Sequence, residues 1–360
     1  MSAAAILADA DHSTRGGIIR RVSIIYCVMQ TVIDISRMRQ NIRRFRAATR
    51  VGFCAVVKSD AYGHGIAAAC YIDPLVDCYL VATADEAAEL TSLTDKSILT
   101  LGGDISPYAR RFEPQIVPTV SDAIQLNAVL RAGYKRFSVA VNTGMNRLGA
   151  SEHALNEIVA VCKERNIAPW SVYSHLYGGI SSASEQAAEF ERLTADKVLK
   201  RCRHLYASSA LDLPGFDMFD MTRCGIAMYG FGKGMELCMK VRAKIVALSR
   251  VSKGEHVGYG DYTLERDTLV ATVRCGYADG LRRCDKQLYF KVRGVRCAVI
   301  GMPCMDMCMI DVTGLNCRLG EYAYLISDKS DAEYLAKCYD TIVYEVLTGF
   351  NGRRTERFYI

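Results

Sequence analysis

The sequence predicts an α/β protein, with an amino-terminal (β/α)8 barrel followed by a carboxyl-terminal mainly-β domain. Three observations carry that prediction. The chain has 360 residues, which is long for one ordinary compact domain and suits a large barrel with a smaller companion. Between residues 32 and 239, short β-branched or apolar runs alternate with longer amphipathic stretches, the pattern of a parallel sheet with crossover helices. From residue 240 to 360 the texture changes to alternating or continuously apolar runs separated by Gly-rich turns.

The expected barrel strands are 51–57, 78–83, 97–101, 115–120, 136–141, 170–174, 204–208 and 218–222. Amphipathic stretches at 121–132 and 184–201 read as helices, with Ser121 and Ser184 as N-caps; Ser184 has Ala187 three residues on and lacks a capping box. Arg39, Arg43, Arg44 and Arg46 read as the wet face of a further helix. In the β domain, strands are expected at 239–249, 268–274, 288–293 and 295–301, with a helix near 331–339. Residues 1–31 read as a partly disordered extension whose end can join the β domain. Within it, 22–29 is better a buried strand than a signal peptide, because no small-residue cleavage pattern follows.

Composition excludes several function classes. Half the residues are apolar, 23% are charged and the net charge is +6, with basic residues scattered, so nucleic acid is not an expected partner. No apolar run reaches the ~18 residues of a membrane span. The 15 cysteines lack regular spacing and fit reduced thiols in the cytoplasm. Cys202 with His204, and Cys304 with Cys308, each lack the second half of a zinc site, so no metal is expected.

Barrel enzymes work at the carboxyl ends of their strands. Those positions hold Lys58, Asn142, Arg147, His175, Ser208, Ser209 and Arg223. Four basic groups in one barrel mouth call for an anionic ligand, such as a phosphate-bearing cofactor with a carboxylate substrate. Lys58 leaves an apolar strand and enters Ser59-Asp60-Ala61-Tyr62-Gly63-His64-Gly65. A lysine held in an apolar site among cations has a depressed pKa and can act as a nucleophile toward a carbonyl.

The segment from Ala55 to Gly65 resembles the pyridoxal-phosphate (PLP) lysine motif of the alanine racemase family. The resemblance continues through Val141–Gly149, Arg223–Gly230, Gly258-Tyr259-Gly260 with Gly276–Gly280, and Gly301–Asp306, in the family's order. The stretch Lys253–Gly260 and the serine pair at 208–209 look most like the racemase domains of serine/alanine racemases of the vancomycin-resistance type. Those carry an upstream membrane domain, which this sequence does not show.

The resemblance implies a fold type III PLP enzyme, a cytoplasmic homodimer that interconverts L- and D-alanine and supplies D-alanine for peptidoglycan. Lys58 would carry PLP and act as the base on one face of the α-carbon. Tyr259, from the second subunit, would act on the other; tyrosine is a poor base at its free pKa of about 10 and needs cations nearby. Arg223 would face the pyridine nitrogen and keep it unprotonated. Ser209, Tyr62, Gly225 and Ile226 would hold the phosphate, with Ser208 beside them and His175 near the ring. Arg147 would pair with the cofactor's phenolic oxygen and the substrate carboxylate, and Tyr277 and Met305 would line the entrance from the partner, with Cys304 either packed there or lining it.

The sequence departs from the family in three respects, the first of them a pair of positions. Ala140 stands where most members carry a carbamylated lysine, and Asn142 stands where they carry aspartate; a chloride near Asn142 would replace the lost group. No phosphate-touching tyrosine is present near Gly352, Arg353 and Arg354. Ser208 stands where asparagine is common. These departures leave serine or broad specificity open as an alternative to alanine. A PLP-dependent decarboxylase would set an acid against the pyridine nitrogen, which Arg223 opposes. A PLP carrier without catalysis would not need Tyr259. An inactive homologue is the remaining alternative.

Overall fold

A computed structural model describes residues 29–102, 106–109, 112–178, 180–213, 219–352 and 354–360. Expectations for residues 1–28 and Arg353 lie outside the described residues. The first strand, β1 (Met29–Ile33), is fully buried. The helix Ile35–Thr49 follows, started by Asp34, whose side chain accepts from the Arg37 amide. Its apolar stripe of Ile35, Met38, Ile42 and Phe45 faces the core at helical spacing. Its arginines are less free than expected. Arg39 donates to Tyr71 O, Arg44 to Gly234 O and Arg46 to Asp77, so three of the four tie the helix to neighbouring segments.

The barrel strands then run β2 (Gly52–Val56), β3 (Cys78–Val81), β4 (Ile98–Thr100), β5 (Ile116–Val117), β6 (Thr119–Val120), β7 (Ser138–Ala140), β8 (Ser171–Tyr173), β9 (Arg203–His204) and β10 (Met221–Cys224). All pair in parallel, in the orders β10-β2-β3-β4-β5 and β6-β7-β8-β9. Pro118 separates β5 from β6, because it has no N–H for the ladder, so one barrel strand is split between two sheets. The Arg223 amide donating to Tyr206 O and the Asp220 amide donating to Arg203 O close the ring between β9 and β10. The runs read from the sequence therefore form a closed eight-strand barrel, with Pro118 inside the fourth.

Two helix starts differ from expectation. Asp122, not Ser121, caps Ala123–Arg131 by accepting from the Gln125 amide, since a carboxylate one residue later faces the free N–H groups. The helix expected to begin at Ser184 begins at Ile180 and ends at Leu193, so Ser184 lies inside it.

The second unit comprises β11 (Met239–Val251), β12 (Thr268–Val273), β13 (Tyr289–Val292), β14 (Val295–Ile300), β15 (Cys308–Asp311), β16 (Tyr322–Ile326) and β17 (Thr355–Tyr359), with helices Lys329–Cys338 and Val343–Thr348. The long β11 pairs with β16 through its first half and with β12 through its second, so β11, β12, β15, β14, β13 and β16 form a closed ring. β1 adds antiparallel to β11, and β17 adds parallel to β1. Both ends of the described chain therefore meet in the β unit. One continuous apolar core runs from β1 through the barrel to Phe350.

Candidate active site

A cavity of about 1100 Å³ opens at the carboxyl ends of the barrel strands. Lys58, Tyr62, Arg147, His175, Ser208, Ser209, Arg223, Gly225 and Ile226 all line it, together with Ala140 and Asn142. Strand direction explains the convergence, because each of these residues ends a parallel strand or lies in the connection that follows it.

Lys58 leaves β2 through Val57 and enters a left-handed turn. Ser59, Asp60, Ala61 and Tyr62 all have φ between 52° and 54°, and Gly63 follows at 79°. Left-handed backbone costs L-residues about 1–2 kcal/mol each, so the surroundings must hold this turn. Glu86 supplies one restraint. Its Oε1 accepts from the Ser59 amide at 2.7 Å, while Oε2 accepts from Ala82 and Thr83 and caps the helix Ala84–Leu90. Burial, and then the Arg147 charge, lowers the Lys58 amine below the ordinary lysine range, with Glu86 opposing. Tyr62 stacks on Tyr229 with ring centroids 4.8 Å apart. A Cβ on residue 225 would lie 2.7 Å from the Tyr62 hydroxyl, so glycine is required for this close approach.

Arg223 forms the cavity floor. Its Nη1 donates to His204 Nδ1 at 2.7 Å and His204 O at 2.9 Å; its Nη2 donates to Ser174 O at 2.7 Å, Leu205 O at 2.9 Å and His175 Nδ1 at 3.2 Å. The Tyr173 ring lies 5.4 Å away and stacks on His204. No described carboxylate neutralises this guanidinium. Burial lowers it to about 10, which still leaves it charged at neutral pH. Burial and then the Arg223 charge push His175 to about 3, and the same two causes push His204 well below its ordinary value. Both imidazoles are therefore neutral, and each uses Nδ1 as acceptor, which places the proton on Nε2.

The structure does not bring the remaining predicted residues to this cavity within one chain. Tyr259 is 68% exposed, Met305 53% and Tyr277 45%, all on the β unit. Tyr259 bridges Met302, and the Tyr277 and Ala278 amides donate to Cys304 O and Met305 O, so one tied set of loops presents all three. Met302 and Met307 extend the same exposed apolar set. In soluble chains, such a patch marks a surface that another molecule covers.

The sequence matches the description "Alanine racemase, N-terminal domain" over residues 33–232 and "Alanine racemase, C-terminal domain" over residues 238–359. The chain belongs to the alanine racemase family. The curated alanine racemase of Sorangium cellulosum is 32% identical over 371 residues, covering 91% of this chain and 97% of the relative. That of Thermodesulfovibrio yellowstonii is 28% identical over 347 residues, covering 90% of this chain and 94% of its own. The crystal structure of alanine racemase from Bartonella henselae with covalently bound pyridoxal phosphate is 27% identical, with a TM-score of 0.81 and coverage of 92% of this chain and 99% of its own. The enzyme from E. faecalis superimposes with a TM-score of 0.83 at 26% identity, covering 93% of this chain and 99% of its own.

Three of the residues that depart from the family pattern have a structural setting. Ala140 lines the same cavity as Arg147 with a short side chain. Asn142 is committed to its own loop: Oδ1 accepts from the Gly144 and Asn146 amides, and Nδ2 donates to Asn146 Oδ1. Ser208 Oγ accepts from the Gly225 and Ala227 amides at 3.1 Å each, so it braces the loop that follows β10. Sequence reasoning missed Glu86, His204 and Tyr344. His204 was visible only as a strand residue with no second metal ligand nearby. Glu86 was visible as the third residue of a Thr83 capping box. Tyr344 lies in a helix that the sequence pattern did not reveal, and it lines the cavity near Tyr62 with centroids 6.0 Å apart.

Proposed function

We propose that this chain is a pyridoxal-phosphate-dependent alanine racemase in which Lys58 and Tyr259 move protons on opposite faces of the substrate α-carbon. The observation that carries the reading is one cavity lined both by Lys58, its pKa lowered, and by a buried Arg223 that has no carboxylate partner among the described residues. The residues present fit the cofactor. Ser209, the Tyr62 hydroxyl and the Ile226 amide offer donors for a phosphate, and glycine at 225 leaves room beside them. The Gly225 amide is already shared with Ser208.

When bound, PLP spreads the electron pair left on the α-carbon after proton loss. The chain's own groups do the rest. Lys58 anchors the cofactor and takes or returns the α-proton from one side. Arg147, exposed at the cavity rim, pairs with the substrate carboxylate. Arg223, whose Nη groups are already engaged by His204, Ser174, Leu205 and His175, would meet the cofactor ring only as an N–H donor and, keeping its own proton, would leave the ring nitrogen unprotonated and temper the electron withdrawal the cofactor supplies. Neutral His175 adds no charge of its own to this floor. Tyr259 comes from a second copy of the chain, with Tyr277 and Met305 lining the entrance, which gives a homodimer with shared sites. A chloride would sit against Arg147, which has no described carboxylate partner, using the one Asn142 N–H that its loop leaves free. The cellular role that follows is supply of D-alanine for peptidoglycan from the cytoplasm.

A chiral assay of the purified protein with PLP on L-alanine and L-serine tests the reading. D-alanine should form, and Lys58→Ala should abolish it. Serine belongs in the assay because Ala140 leaves space in the cavity. Absence of D-product from both substrates would overturn the proposal.

A further inference from the structure

The β unit also reaches the site of its own chain, through its last strand. Along β17, Thr355, Arg357 and Tyr359 alternate with the exposed Glu356 and Phe358. Arg357 and Tyr359 meet the left-handed turn that follows Lys58. Arg357 Nη2 lies 2.5 Å from Asp60 Oδ2 as an ion pair, and Arg357 Nε donates to Gly63 O at 3.2 Å. Asp60 Oδ1 accepts from the Ile66 amide at 2.6 Å, which closes the far end of the turn. The Tyr359 hydroxyl donates to His64 O at 3.1 Å. A Cβ on residue 65 would collide with the Tyr359 hydroxyl and approach Arg357 Cδ to 2.8 Å, and one on residue 63 would collide with Leu347 O. The turn is thus pressed against β17 and the helix Val343–Thr348, and it leaves no room for side chains at either glycine.

We infer that Arg357 and Tyr359 are positioning residues that hold the Lys58 turn in its left-handed form and so aim the Lys58 amine into the cavity. Four consecutive non-glycine residues with positive φ will not persist without outside restraint. Glu86 restrains the start of the turn from the barrel, and Arg357 and Tyr359 restrain its middle and end from β17. Among the described strands β17 pairs only with β1, so it is tied to the first described strand and to the lysine turn together. The inference goes beyond the proposed function, since it concerns the placement of an amine whatever reaction that amine serves.

The test uses the purified full chain with Arg357→Met, Arg357→Lys, Tyr359→Phe and, as a control on the opposite face of the same strand, Glu356→Ala. Glu356 bonds Gln30 and does not touch the turn. Two readouts are taken: loss of PLP absorption during dialysis, and the pH profile of Lys58 acylation, measured by peptide mass spectrometry without added cofactor. Arg357→Met should lose cofactor at least tenfold faster and move the Lys58 profile toward that of an ordinary lysine. Arg357→Lys should recover part of both effects, Tyr359→Phe should show a smaller shift, and Glu356→Ala should change neither. If Arg357→Met does not fold, the hydroxyl-only change in Tyr359→Phe carries the test. Unchanged retention and an unchanged Lys58 profile in Tyr359→Phe and the folded Arg357 variants would overturn the inference, even if melting temperatures fall. Failure of the wild type to bind PLP would instead strike the proposed function, while the acylation profiles would still decide the positioning role.

Discussion

The barrel mouth and the exposed face of the β unit hold the two halves of the proposed chemistry in opposite states. At the mouth, Lys58, His175 and Arg223 line one enclosure, and burial lowers all three, with the Arg147 charge acting on each in the same direction. On the β unit, Tyr259 stands 68% exposed, and its side chain makes no hydrogen bond to any described residue. The first environment is complete within one polypeptide; the second is a tool without a workplace. Racemisation by the proposed two-group route needs acid/base groups on both faces of one carbon, and Tyr259 does not line the cavity that holds Lys58. The contrast therefore points to two chains completing each other's sites.

Substitutions at the two places should behave differently, and the largest effects should fall on activity. Lys58→Ala should lower kcat/KM for alanine by at least about 10⁴-fold, since it removes both the anchor and a base. Tyr259→Phe should cost about 10²–10⁴-fold with little change in melting temperature, because an exposed hydroxyl contributes little to folding. Equal activity of Tyr259→Phe and the wild type would break the comparison. Next in size is stability at the floor of the mouth. Arg223→Met strands the carbonyls of Ser174, His204 and Leu205 and should cost at least about 2 kcal/mol in chemical denaturation. A truncation of the same kind on the β face, Met305→Ala, should stay within about 0.5 kcal/mol.

Acid should sharpen the same contrast on a smaller scale. His64, fully buried under Tyr229 beside the lysine turn, is pushed down to about 4, chiefly by burial. Its folded pKa lies below the unfolded value of about 6.5, so below that pH the unfolded chain binds the proton more readily. The stability His64 contributes is thus fully present above pH 6.5 and is lost as pH falls toward 4, by about 3 kcal/mol in all. Replacing His64 with a neutral residue such as Asn, whose amide nitrogen can take the place of the ring Nδ1 against Ala61 O and Tyr62 O, should flatten denaturation midpoints across that window. An unchanged slope would place acid sensitivity elsewhere.

Much of the barrel was legible because parallel buried strands are short apolar runs between amphipathic helices, a pattern that survives without tertiary knowledge. Pro118 could be read as a strand residue but not as the seam between two ladders. Helix starts slipped where two capping residues competed, as at Ser121 and Asp122. The β unit was half legible. β11 to β14 alternate or run apolar, whereas β17 reads Thr-Glu-Arg-Phe-Tyr, a charged edge whose partner β1 lies more than 300 residues away in sequence. In the site, Lys58 and the residues ending each strand were visible from motif and position. Glu86, His204 and Arg357 were not, because a carboxylate on a backbone amide, an imidazole under a guanidinium and an arginine on a distant turn are all products of packing. Motifs disclose the groups that meet a ligand; the groups that hold those groups still are disclosed only by coordinates.

The most direct test of the shared site mixes two inactive proteins. Lys58→Ala and Tyr259→Phe subunits, each catalytically crippled, are unfolded together, refolded with PLP and assayed for D-alanine. Random pairing gives mixed dimers in which one of two sites carries both wild-type groups, so activity should recover to about a quarter of the wild-type value. No recovery, with mixed dimers demonstrated by mass, would contradict a tyrosine supplied across the subunit boundary.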